Sequence, residues 1–365
     1  MVLNRHGGEI KDKIEYDFSV NVNPLGMPDY VKKAIVESID SLCEYPDRLC
    51  TELRNSIAKH EGIDANQILC GNGASELIMA VCAFAANEFT TQNESIGVTM
   101  PARRMTALVQ APTFSGYERA VKAYGGEVVY YRNYNEAIAI IENSTENAVA
   151  KRKANDINII FICNPNNPTG EVVNKKEFIK LLDIAKDKNI LVVVDECFID
   201  FTHEESLVDQ TGYDNLIVVK AFTKFYALAG VRLGFICARQ ELCERIANYL
   251  PEWNVSTIAQ LAGRVALSDE ESADRWKKDT LKLIDVERAY LIDKLTALGF
   301  EVSDSKANFL LCKSKDSDIW EKLRNVGILV RDCGNFNGLN SSYIRICVST
   351  HEKNEILINA LKSII

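Results

Sequence analysis

Lys224 follows an apolar run, Leu216 to Lys220, and sits among Phe222, Thr223, Phe225 and Tyr226, with Arg232 eight residues downstream. An amine set among aromatic and aliphatic side chains loses hydration when charged, so its pKa falls and it becomes a nucleophile. A second apolar run, Ile190 to Val194, ends on Asp195. In open parallel sheets ligands bind at the carboxyl ends of strands, where both residues are expected. Each has a plainer reading alone: a lysine lying along the surface with its head in water, or an aspartate capping the next element. The combination of amine, carboxylate and guanidinium outweighs those separate readings.

A fourth element supports the set. Gly71-Asn72-Gly73-Ala74-Ser75-Glu76 follows the short run Gln67 to Cys70 and opens a helix expected over 76–86. Glycines let backbone N–H groups approach an anion, and a helix N-terminus favours phosphate. A dinucleotide fingerprint also starts with Gly-x-Gly, but Glu76 occupies the place of its third glycine. Pyridoxal phosphate needs all four parts. A lysine holds its aldehyde as a Schiff base, a carboxylate keeps its pyridine nitrogen protonated, and an arginine with a backbone cradle balances its phosphate. Asn164-Pro165-Asn166-Asn167-Pro168-Thr169-Gly170 could by itself be a turn, since its residues favour one.

These residues need a scaffold of alternating strands and helices. Strands are expected at 106–110, 126–130, 157–163, 190–194 and 216–220, with an amphipathic helix through Phe178, Leu181, Leu182 and Ala185. That pattern predicts an α/β fold: a large domain with a mainly parallel, seven-stranded-type sheet covered by helices. A long charged helix over 270–297 ends near Gly299, and further strands are expected near 300–304, 307–312, 327–331 and 343–348. They imply a smaller C-terminal α/β domain, with 25–265 as the large domain and 1–24 joining 266–365. Earlier, Val31, Ile35 and Ile39 fall on one helical face and Leu49, Leu53 and Ile57 on another. The polar stretches 87–104 and 143–156 read as surface loops.

Composition excludes several classes. A net charge of −9 argues against a nucleic-acid surface, which needs a basic stripe. Eleven cysteines without a CxxC pair read as reduced thiols in a cytosolic protein, and no metal site is visible. No apolar run reaches the ~18 residues that span a bilayer. With no signal-peptide pattern at the N-terminus, the chain is expected to be soluble and cytoplasmic.

The ordered motifs at Gly71–Glu76, Ala111–Phe114, Asn164–Gly170, Val192–Phe201, Thr223–Phe235, Ala307–Leu311 and Tyr343–Val348 resemble the fold-type-I pyridoxal-phosphate family, in its histidinol-phosphate aminotransferase branch. The resemblance spans nearly the whole chain. It implies that Lys224 is the Schiff-base lysine and Asp195 the partner of the pyridine nitrogen. Asn167 would bond the ring oxygen and Phe114 stack on the ring. Gly73, Ala74, Ser75, Thr223 and Arg232 would hold the phosphate. Tyr45 would reach the neighbouring subunit's cofactor, which implies a homodimer. Substrate contacts would come from His6, Asn23, Asn167, Arg331 and Arg345, with Arg345 taking the carboxylate.

Within the branch, four features lean toward the threonine-phosphate decarboxylases of cobalamin synthesis. They are His6-Gly7-Gly8 followed by the Asp17–Gly26 stretch, Phe198 where aminotransferases have tyrosine, Thr223-Lys224-Phe225-Tyr226, and Arg331-Asp332-Cys333-Gly334-Asn335-Phe336. The implied reaction is decarboxylation of O-phospho-L-threonine or a close phosphorylated amino acid. The alternatives are a histidinol-phosphate-type aminotransferase using glutamate and 2-oxoglutarate, or an inactive regulator on the same fold. Ala221, standing where the family has serine or threonine, removes one potential phosphate hydroxyl.

Overall fold

Runs of β-branched residues form the strands, and the two-residue alternation of side chains decides which face each residue serves. The structure is a computed structural model that describes residues 7–8, 13–91, 104–143, 157–268 and 270–365. In chain order its strands are β1 (Tyr16–Asp17), β2 (Ile68–Gly71), β3 (Thr106–Gln110), β4 (Glu127–Tyr131), β5 (Ile157–Cys163), β6 (Leu191–Asp195) and β7 (Leu216–Ala221). They continue as β8 (Gly234–Ala238), β9 (Glu301–Val302), β10 (Phe309–Lys313), β11 (Ile328–Leu329), β12 (Arg331–Asp332) and β13 (Tyr343–Cys347).

A seven-stranded sheet runs in the order β2-β8-β7-β6-β5-β3-β4. The pairs from β7 to β4 are parallel, whereas β8 runs antiparallel to both of its neighbours. Every residue of β5, β6, β7 and β8 is buried, as a sheet covered on both faces requires. Ile160, Ile162, Val192, Val194 and Val218 pack on one side, and Ile159, Phe161, Val193, Ile217 and Val219 on the other. Each such side chain contributes ~1.5–3 kcal/mol relative to exposure. By the same alternation Asp195 continues the face of Val193, where it pairs with Cys163 across the strands. Lys220 falls on the face of Val218.

The helix after the glycine loop is longer than the sequence pattern suggests, spanning Ala74–Thr91. Residues 87–91, expected in a loop, therefore extend it; 92–103 and 144–156 lie outside the described residues. Two early apolar assignments also change. The first helix, Asp29–Glu37, ends before Ile39. The second, Thr51–Glu61, begins after Leu49, because Cys50 adopts left-handed backbone angles at its start. Ile39 and Leu49 are consequently exposed.

A second sheet has the order β12-β13-β10-β9, all antiparallel. The single strand expected at 327–331 is two short ones, because β11 leaves this sheet to pair with β1. Backbone bonds Phe18 N to Leu329 O (2.7 Å) and Cys347 N to Phe18 O (2.9 Å) continue that attachment. The long helix Glu270–Ala297 packs against the C-terminal helix His351–Ile364 and stops before Gly299, whose φ of 87° suits glycine. Among the described residues no helix is long and apolar enough to cross a membrane.

Candidate active site

A cavity of about 270 Å³ opens at the carboxyl ends of β5, β6 and β7, and Lys224 and Asp195 both line it. Lys224 stands on a short helix, Phe222–Phe225, pinned by the buried rings of Phe222 and Phe225. Burial, then the positive charges of Arg345 and Arg232, push its amine down to about 8. Asp195 is buried at the end of β6; its Oδ2 accepts from the Tyr117 hydroxyl at 2.7 Å and its Oδ1 from the Cys197 N–H at 3.0 Å.

Gly73 has φ +82°, and a Cβ there would lie 2.6 Å from Arg232 Nη2. Glycine is thus required both by backbone angle and by the approach of a guanidinium. That approach brings Arg232 beside the N-terminus of the Ala74–Thr91 helix, a geometry suited to a phosphate group. Arg232 itself has φ 62°, a strained value of the kind that clusters at functional sites. Glu76 braces the loop by accepting from Asn72 N–H and from Asn254 Nδ2, each at 2.7 Å. Ala74, Ser75 and Thr223 line the same cavity, so Thr223 offers a hydroxyl although Ala221 has none. A low-pKa amine, a buried carboxylate and an anion cradle around one cavity fit pyridoxal phosphate. Phe114 also lines the cavity.

The opposite wall comes from the second sheet. Arg331 on β12 and Arg345 on β13 are direct cross-strand partners. Like charges placed so repel, and an anion between or beside them relieves the cost. Each guanidinium is held on an aromatic face, Arg331 over Phe336 at 5.3 Å and Arg345 over Phe309 at 5.5 Å. Arg331 Nη2 donates to Asn335 Oδ1 at 2.9 Å. Arg345 donates to Asn167 Oδ1 and, at 2.8 Å, to Ser19 O. Its Nε is buried without a hydrogen-bond partner among the described residues, and burial pushes the group down to about 10.

Asn23 departs from expectation. It does not line the cavity, and its amide is consumed by structure: Nδ2 donates to Phe225 O and Thr280 Oγ1, both at 2.8 Å, while Oδ1 accepts from Leu25 N–H at 3.0 Å. Asn21 lines the cavity instead, 2% exposed, with neither amide atom hydrogen-bonded among the described residues. Two asparagines two residues apart look equivalent in sequence, and only the fold separates an anchor from an open binding group. His6 lies outside the described residues; Gly7 and Ser19 line the cavity. Tyr45 is 82% exposed and does not reach the cavity of its own chain. Its ring instead meets Trp253 at 5.1 Å. Cys163 and Tyr117, which fall in no sequence motif, and Cys197, which falls in the Val192–Phe201 motif without an assigned role, surround Asp195.

The family model described as aminotransferase class I and II matches residues 13–361. Threonine-phosphate decarboxylase from Salmonella typhimurium is 32% identical over 375 residues, 99% of this chain and 96% of that protein. The adenosylcobalamin biosynthesis bifunctional protein CobDQ of Leptospira interrogans is 33% identical over 379 residues. That match covers all of this chain, which spans only 41% of the longer relative. Among solved structures, the histidinol-phosphate aminotransferase from Clostridium acetobutylicum superimposes with a TM-score of 0.81 at 30% identity, covering 95% of this chain and 98% of that one.

Proposed function

Because the chain belongs to the aminotransferase class I and II family, whose enzymes use pyridoxal phosphate, we propose that it decarboxylates O-phospho-L-threonine, or a close phosphorylated amino acid, to a phosphorylated amino alcohol. Cobalamin synthesis is the corresponding context, supported by the similarity to CobDQ. The observation that carries the reading is the facing of Arg331 and Arg345 across β12 and β13. A phosphorylated amino acid presents two anionic ends at once, carboxylate and phosphate. Histidinol phosphate presents only one, although glutamate, the amino donor of the alternative reaction, also presents two.

In this reading Lys224 holds the cofactor's aldehyde and later moves a proton at the substrate's α-carbon. Asp195 holds the proton on the ring nitrogen. Arg232, Thr223 and the backbone at Gly73, Ala74 and Ser75 would hold the cofactor phosphate, with Phe114 for its ring and Asn167 for its oxygen. When bound, pyridoxal phosphate supplies an electron sink for a bond breaking at the α-carbon. The chain's residues would choose the bond by where they hold the substrate's two anionic ends. Arg345 and Asn21 orient the carboxylate, while Arg331 and His6 take the phosphate. Phe198, buried against Phe309 with ring centroids 5.0 Å apart, has no hydroxyl to offer the ring oxygen.

The test offers purified protein phosphothreonine alone, then histidinol phosphate with 2-oxoglutarate. Carbon dioxide release without a keto acid is the expected result. Glutamate formation from the second pair, with no carbon dioxide from the first, overturns decarboxylation in favour of transamination.

The reading includes a homodimer in which Tyr45 reaches the partner's site. Val36, Ile39, Leu42, Leu49 and Trp253 are exposed apolar side chains, Trp253 meeting the Tyr45 ring, and exposed apolar surface of this kind is what a second copy covers. Sedimentation at micromolar concentration should find a dimer, and a monomer carrying full activity would sink this part. We also treat 25–265 as the cofactor domain and 1–24 with 266–365 as the substrate domain, supported by the pairing of β1 with β11. A cytoplasmic location is consistent with the free cysteines.

A further inference from the structure

Tyr117 is fully buried on the helix Gly116–Ala123 and does not line the cavity. Its ring stacks on Phe161 at 5.1 Å and 11°, and meets Phe114 edge-on at 5.5 Å and 86°. These two contacts hold the hydroxyl in place. It donates to Asp195 Oδ2 at 2.7 Å, while the Cys197 N–H takes Oδ1. Burial and the neighbouring charge of Asp195 push the phenol well above its ordinary value, so the hydroxyl stays protonated and serves as a donor.

The strand register explains why this contact forms. Asp195 continues the face of Val193, and Phe161 and Cys163 stand on the same face of the adjacent β5. Tyr117 packs into that face from the covering helix. A space-filling role would be met equally by phenylalanine. The hydroxyl adds a hydrogen bond to a carboxylate in a water-poor site, where charge-assisted bonds are strong and geometry is set by few partners.

We infer that Tyr117 is a positioning residue: its hydroxyl orients the Asp195 carboxylate and supports its negative charge toward the ring nitrogen of pyridoxal phosphate. The inference rests on the reading of Asp195 given above. It assigns Tyr117 no contact with substrate or cofactor.

The experiment measures equilibrium affinity of the apoprotein for pyridoxal phosphate and for its analogue with C–H in place of the ring nitrogen. Both are titrated into wild type and Tyr117→Phe. Wild type should prefer pyridoxal phosphate. The variant should lose about tenfold in affinity for it, with binding of the analogue unchanged. Undiminished analogue binding also reports that the variant is folded. Equal losses for both ligands would assign Tyr117 a packing role and overturn the inference, as would no loss for either. A wild type that binds both ligands equally removes the role of Asp195 itself, and the inference with it. That outcome is recognised before the variant is examined.

Discussion

Lys224→Ala should lower kcat/KM by at least ~10³-fold and remove the visible absorbance of the covalently held cofactor. Alanine can neither hold an aldehyde nor move a proton. The cradle at Gly73, Ser75, Thr223 and Arg232 remains, so the variant should still bind pyridoxal phosphate reversibly. With the wild-type amine pushed down to about 8 by burial and by Arg345 and Arg232, the sign of the pH dependence follows. The neutral amine is the nucleophile, so capture of the aldehyde by apoprotein should rise with pH and level off above about 8. Near pH 7 only about one lysine in ten is neutral. Stopped-flow absorbance checks the profile. A visible band that survives in Lys224→Ala, with a cofactor that borohydride reduction of the imine fixes to the chain, would place the attachment on another lysine.

Lys220 is the natural rival, since it also stands near the end of β7 and is buried. Its Nζ, however, donates to Glu61 at 2.7 Å and lies 3.6 Å from Asp200. Burial pulls its ammonium down, but Asp200, Glu61 and Glu196 outweigh that and hold it above the ordinary lysine value. It remains a cation, useful to the fold and useless as a nucleophile.

Arg345→Leu should raise KM and lower kcat/KM by about 10²–10³-fold while leaving the cofactor covalently held. Leucine keeps much of the packing over Phe309 but leaves the substrate carboxylate and Arg345's partners, Asn167 and Ser19, without a donor. Asn21→Ala removes a neutral amide from the same wall and should act in the same direction by about tenfold. Steady-state kinetics with the substrate identified by the carbon dioxide assay provides the check. An unchanged KM in Arg345→Leu would remove Arg345 from the carboxylate site and leave the arginine pair without its assigned use.

Much of the cofactor site is legible along the chain because its parts are local. Gly71 to Glu76, Asp195 and the stretch from Thr223 to Arg232 each follow an apolar run, and a strand end is a position that periodicity can mark. The parallel core is readable for the same reason: strands buried on both faces must be apolar throughout. β8 is not readable in this way, because Gly234–Ala238 merges with the motif before it and nothing local signals its reversed direction.

What sequence by itself determined is the kind of chemistry, an amine, a carboxylate and an anion cradle at strand ends. Tertiary structure decided which polar groups are available for it. Asn21 and Asn23 are two residues apart, yet the second spends its amide on Phe225 and Thr280. Arg331 and Arg345 become a pair only through the register of β12 and β13. Lys220 and Lys224 differ because Lys220, on β7, meets carboxylates, whereas Lys224, on the short helix that follows β7, faces the open cavity. Hydrogen-bond occupancy and local charge depend on partners distant in the chain, so residue type and spacing alone leave them undetermined.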